Sequence, residues 1–91
     1  MELSEQQIID CTAHTGNKGC QGGFKDRSLK YIETNGLVAS EAYPFENKHN
    51  KNLCKYSSGD YKIKSMKYIN GCANFRRSVR KAPVAVSVSA Y

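Results

Sequence analysis

The sequence predicts an α+β chain, helical over its first part and β-rich at its end. Two observations carry that prediction. Between Ser4 and Gly36, helix start and stop signals bracket apolar residues at helical spacing, whereas beyond a change of composition near Ser57 to Asp60 the apolar residues alternate with period two. The boundary divides the chain into a helical unit, 1–58, and a β-α-β unit, 59–91.

The elements follow in order. Ser4 can cap a helix running to about Cys11, with Gln7 placed to reach back as a capping box and Leu3 and Ile8 placed as a hydrophobic staple. Gly16, Asn17 and Gly19 then mark a loop. From Phe24 to Asn35, Phe24, Leu29, Tyr31 and Ile32 fit the face of a second helix, Asp26 favours its first turn, and Gly36 stops it. The stretch from Leu37 to Ser58 reads as an irregular crossing held down by Tyr43, Phe45, Leu53 and Cys54. Tyr61 to Lys64 alternates like a half-buried strand. Phe75 and Val79 mark a short helix ended by Pro83, and Val84, Val86 and Val88 alternate with Ala85, Ser87 and Ser89 in a second strand.

Hydrophobic residues make up 40% and charged residues 24%, values of a folded rather than a disordered chain. At 91 residues it builds one modest core at most. The net charge of +6 and pI near 9.3 raise nucleic acid as a partner. Against it, the basic residues are scattered, and the densest group, Arg76, Arg77, Arg80 and Lys81, lies on a helix without a stacking motif, so no nucleic-acid partner is expected. No apolar run is long enough to span a membrane, and none follows Met1 as a secretory signal would, so no membrane partner is expected and any targeting peptide would lie outside this chain. The four cysteines suggest an oxidising compartment, yet no CxxC pair occurs, and neither a metal site nor a cofactor is expected.

Three motifs carry more specific information: Leu3-Ser4-Glu5-Gln6-Gln7-Ile8-Ile9-Asp10-Cys11, Gly19-Cys20-Gln21-Gly22-Gly23 and Tyr43-Pro44-Phe45. In this order they resemble the middle of a papain-family cysteine peptidase of the cathepsin L type, with Gln21 standing where the family usually has Asn. The resemblance covers nearly the whole chain. It implies the later part of the family's helical left domain followed by the start of its β-rich right domain.

It also implies roles for residues. The glycine loop borders the substrate cleft, so Gly22 and Gly23 would let an extended peptide pair with bare backbone; a plain turn and helix entry is the alternative. Phe24 and Lys25 match positions lining the pocket for the second residue before the scissile bond, and Ser87 matches its far wall. Phe24 reads equally as a core aromatic, and Lys25, where an apolar residue is common, as a surface lysine. Cys11 should pair with Cys54, a bridge worth roughly 3 to 4 kcal/mol in the chain-entropy model. Cys20 would be an orphan thiol, since its family partner lies just before the catalytic Cys, and Cys72 a second, partly buried one.

The catalytic residues are not in view. Papain-like enzymes carry a Cys-Gly-(Ser/Ala)-Cys-(Trp/Tyr) stretch with His and Asn about 130 to 150 residues downstream, and no such stretch occurs here. Nor is the oxyanion-hole Gln present, and His14 and His49 fall in loops that the family does not use for its base. The expected function is therefore a non-catalytic piece of a cysteine endopeptidase, partnered by a peptide or protein substrate and by flanking segments of the parent. The alternative is a stand-alone, degenerate homologue that binds peptides or a protein. The resemblance points to a lysosomal or secreted setting.

Overall fold

In the computed structural model, which describes residues 2–51 and 53–88, helix α1 spans Glu5–Cys11 and begins where the cap signal falls. Ser4 takes extended backbone, and its Oγ accepts the Gln7 N–H at 3.1 Å, satisfying a donor that a helix start leaves unpaired. The reciprocal half of the capping box does not form, because the Ser4 N–H already donates to the Val38 carbonyl at 3.0 Å. Gln7 turns inward instead, donating to the Tyr31 hydroxyl at 3.1 Å and the Gly36 carbonyl at 3.2 Å, and accepting from the Val38 N–H at 2.8 Å. Leu3, expected to staple onto Ile8, is 36% exposed, and its backbone forms an isolated antiparallel bridge with Ala39.

Two short 3-10 turns, Ala13–Thr15 and Gly19–Gln21, lead to helix α2, Lys25–Asn35, with Phe24 at its N-cap and Asp26 in its first turn. Gly36 ends α2 at φ +79, its N–H donating to the Ile32 carbonyl at 2.9 Å. A Cβ on Gly36 would strike the Gly59 carbonyl, and one on Gly59 would strike the Leu37 backbone. That close approach lets Leu37 and Tyr61 exchange backbone hydrogen bonds at 2.8 and 3.2 Å in a second isolated bridge. Helix α3, Cys72–Lys81, ends at Ala82, just ahead of Pro83.

The two strands expected beyond residue 60 do not form among the described residues. Tyr61 enters a bridge, but 62–64 and 84–88 join no ladder, and Ser89 lies outside the described residues. Alternation prescribes a face, whereas a strand also needs a neighbouring backbone to pair with, and among the described residues neither segment has one.

The interior is unusual in its polarity. Cys11, Tyr31, Leu37 and Tyr43 form a small apolar cluster, flanked by Ile8, Ile32 and Val38, but the largest fully buried side chains are Gln6, Gln7, Thr12 and Ser4. Burying such groups is tolerable only when each is hydrogen-bonded, and no buried side-chain nitrogen or oxygen among the described residues lacks a partner. Gln6 accepts from the Glu46 N–H at 2.8 Å and donates to the Lys48 carbonyl at 2.6 Å and to Asp10 at 3.0 Å. Asp10 accepts from the Tyr43 hydroxyl at 2.6 Å and from the backbone and side chain of Asn50 at 2.9 and 3.1 Å. The Ser4 hydroxyl donates to the Tyr43 carbonyl at 2.7 Å, and the Cys11–Cys54 disulfide, with Cα atoms 5.0 Å apart, closes the arrangement across 43 residues of sequence.

The crossing stretch is thus held by Tyr43, Cys54 and backbone groups. Phe45 and Leu53, expected to hold it as well, are 54% and 70% exposed and take no part in the buried cluster. Burial pushes the Asp10 carboxyl up, but the hydrogen bonds from Tyr43, Asn50 and Gln6 outweigh it and bring it below the usual 3.8. Burial, and then donation to Asp10, push the Tyr43 hydroxyl up to about 12.

Candidate functional site

The candidate residues gather around the start of α2, and Asn17 organises them. It is 8% exposed. Its Nδ2 donates to Thr12 Oγ1 and Ser28 Oγ, both at 3.0 Å, and its Oδ1 accepts the Phe24 N–H at 2.8 Å. One side chain therefore ties the end of α1, the glycine loop and the start of α2. Sequence reasoning read Asn17 only as a loop former, and nothing local distinguishes it from any other loop asparagine.

The two glycines of the loop differ. Gly22 has φ +118, a conformation that side chains rarely adopt, with open space where a Cβ would point, and its carbonyl accepts the Lys18 N–H at 2.8 Å. At Gly23 a Cβ would meet Asn17 Oδ1 at 2.7 Å, so packing against Asn17 excludes a side chain there. Among the described residues neither the N–H nor the carbonyl of Gly23 is engaged.

Phe24 is 55% exposed, which removes it from the core, and the Arg27 guanidinium sits 4.3 Å from its ring centroid as a cation–π pair. Lys25 Nζ donates to Ser87 Oγ at 2.9 Å, joining residues 62 apart in sequence. Phe24, Lys25 and Ser87 share a cavity of about 520 Å³ whose apolar lining includes Leu29, Met66 and Phe75. A smaller hollow of about 300 Å³ is lined by Cys20, Gly22, Gly23, Phe24 and Lys25. All five proposed contact positions therefore border two adjoining hollows.

Cys20 and Cys72 are both unbridged and exposed. Cys72, expected to be partly buried, is the first residue of α3, on a helix without buried residues. His14 lies edge-on to Tyr31 with ring centroids 6.3 Å apart, and His49 packs against Gly19, where a Cβ would collide with its imidazole. Among the described residues no three His, Cys, Asp or Glu side chains gather as metal donors, and no helix is long and apolar enough to cross a membrane.

This arrangement is that of the helical left-domain portion of a papain-like fold. The family model for papain family cysteine proteases matches residues 1–91, and the chain belongs to that family. Cysteine proteinase 3 of Dictyostelium discoideum is 37% identical over 95 residues, covering 99% of this chain and 28% of that protein. Procathepsin L of Rattus norvegicus is 46% identical over 57 residues, covering 62% of this chain and 16% of that protein. Among solved structures, digestive procathepsin L 3 of Tenebrio molitor larval midgut superposes with a TM-score of 0.55 at 40% identity, over 60% of this chain and 17% of that one. A structure from work on the mite allergens Blo t 1 and Der p 1 shares the fold, with a TM-score of 0.71 at 22% identity over 89% of this chain and 29% of that one.

Proposed function

We propose that this chain is an internal portion of a papain-like cysteine endopeptidase, that it contributes the non-catalytic wall of the substrate cleft, and that it is inactive alone. In the parent, peptide bonds are hydrolysed through a thiol nucleophile. That Cys, its His base and its orienting Asn come from flanking segments, which with the peptide or protein substrate are the partners of this piece. The chemistry calls for no metal or cofactor. The observation that carries the reading is a contiguous family match that spans 28% of a relative's length without the nucleophile stretch.

Residues 1–58 belong to the left domain and 59–91 to the right. Gly22 and Gly23 face the substrate backbone, a role supported by the unengaged peptide groups of Gly23. Phe24 and Ser87 form opposite walls of one pocket, with Lys25 between them, supported by the cavity they share and the Lys25 to Ser87 bond. A lysosomal or secreted setting is supported by the Cys11–Cys54 disulfide.

One observation favours the second reading, a stand-alone homologue that binds peptides without cleaving them: the disulfide and the buried hydrogen bonds close within the described residues. Sequencing the transcript through both ends of the reading frame separates the two. A Gln and a Cys-Trp helix upstream, with His and Asn downstream, support the first; in-frame stops support the second. The isolated chain should not turn over a fluorogenic peptide, and turnover by it alone would overturn the proposal.

A further inference from the structure

The chain contains two Asn-Gly pairs, Asn35-Gly36 and Asn70-Gly71, and the structure holds them differently at the glycine nitrogen. Asn35 is the last residue of α2. The Gly36 N–H is bound to the Ile32 carbonyl at 2.9 Å and the Asn35 carbonyl accepts the Gly59 N–H at 2.9 Å, so both ends of the 35–36 peptide group are held. Gly36 is buried as well. Asn70 and Gly71 are exposed, ahead of α3, and among the described residues neither the Gly71 N–H nor the Asn70 side chain has a hydrogen-bond partner. Gly71 has φ +87, with nothing within 4 Å of where a Cβ would stand.

We infer that Asn70 is a site of spontaneous deamidation, with water as the co-reactant, and that Asn35 is protected. The Gly71 nitrogen gives up its proton and bonds to Asn70 Cγ, the Cγ–Nδ2 bond breaks, and the side-chain nitrogen leaves as ammonia, closing a succinimide. Water then opens either carbonyl of that ring to give aspartate or isoaspartate, and no oxidant or reductant is involved. Attack needs a nitrogen that is free of a hydrogen bond and a backbone able to turn towards the side chain. Glycine obstructs that turn least, whereas a residue locked at a helix end must first open locally.

The product matters because of its surroundings. Asn70 lines a groove with Lys67, Arg77 and Lys81. Arg77 is held by the Asn74 amide, which itself donates to the Asn70 carbonyl at 2.9 Å, and no carboxylate neutralises it among the described residues. A carboxylate at position 70 would stand just ahead of the N-terminus of α3, where the helix dipole favours negative charge, and would lower the charge of this basic face by one.

The test uses the oxidised protein that carries this segment, held at mildly alkaline pH and body temperature and sampled over days. Tryptic peptides are weighed for the amide-to-acid change, and isoaspartate is read by enzymatic methyl transfer. Conversion is expected at least roughly tenfold faster at Asn70 than at Asn35, and the ratio should collapse towards unity in the reduced, denatured protein, where neither site is held. Asn70→Gln should abolish the change in the peptide running from Tyr68 to Arg76 and leave Asn35 unaffected. Equal rates in the folded protein, a ratio indifferent to unfolding, or conversion that survives in N70Q and so belongs to Asn74, would each overturn the inference.

Discussion

The described residues up to 61 and residues 62–88 are built on different principles, although helix signals can be read in both. In the first region α1 is wrapped by backbone groups from 36 to 50, no buried side-chain nitrogen or oxygen among the described residues lacks a partner, and a disulfide closes the structure. In the second, α3 has no buried residue, and Phe75, Val79 and Val86 remain 43%, 50% and 54% exposed. Local signals suffice to form a helix, but tertiary stability comes from what a helix is buried against. Amide exchange should therefore be slow in α1 and fast in α3.

The contrast can be broken from its stronger side. Replacing both Cys11 and Cys54 with serine should cost about 4 kcal/mol in denaturant unfolding, the chain-entropy value for a 43-residue separation, and should leave exchange in α3 unchanged; loss of α3 protection as well would show that the regions unfold together. Asp10→Asn, which sets an amide against donors from Tyr43, Asn50 and Gln6, should cost about 2 to 3 kcal/mol. Because the folded carboxyl of Asp10 lies below 3.8, its contribution is present above that pH and lost as pH falls through the folded value. Tyr43 works in the opposite sense: with its hydroxyl near 12 in the folded chain, its contribution holds below the usual 10 and is lost as pH rises towards 12. Acid and alkaline titrations of D10N and Tyr43→Phe, followed by circular dichroism, check both signs.

Smaller effects sharpen the comparison. Gly59→Ala, whose Cβ would strike the Leu37 backbone, should cost about 1 to 3 kcal/mol in thermal or denaturant melts. Phe75→Ala, at a half-exposed position of α3 that lines the cavity with Leu29 and Met66, should cost about 1 kcal/mol or less. A large loss at Phe75 would mean that α3 contributes more to the folded state than its exposure indicates.

The same division marks how much was legible in the sequence. The cap at Ser4, the stop at Gly36 and the end of α3 before Pro83 could be read because each is local. The burial of Gln6, Gln7 and Asp10 could not, since their partners are backbone groups as many as 42 residues away, and a row of polar residues on a helix otherwise reads as its solvent face. The valines from 84 to 88 alternate as a strand would, but alternation reveals a face without revealing whether a partner exists. Around the candidate site Gly22 was legible from its type, whereas the reason for Gly23 is Asn17, six residues earlier, which only the folded chain brings against it.

The way α1 grips the crossing stretch bears on how this segment can change over generations. Gln6 and Asp10 bind the N–H groups of 46 and 50 and the carbonyl of 48, and Glu46 and Lys48 themselves point outward. The helix thus reads spacing more than composition: the side chain at 48 can drift, the one at 46 is tied only to Asn50 through its carboxylate, whereas inserting or deleting a single residue between 43 and 50 would throw each of these contacts out of step.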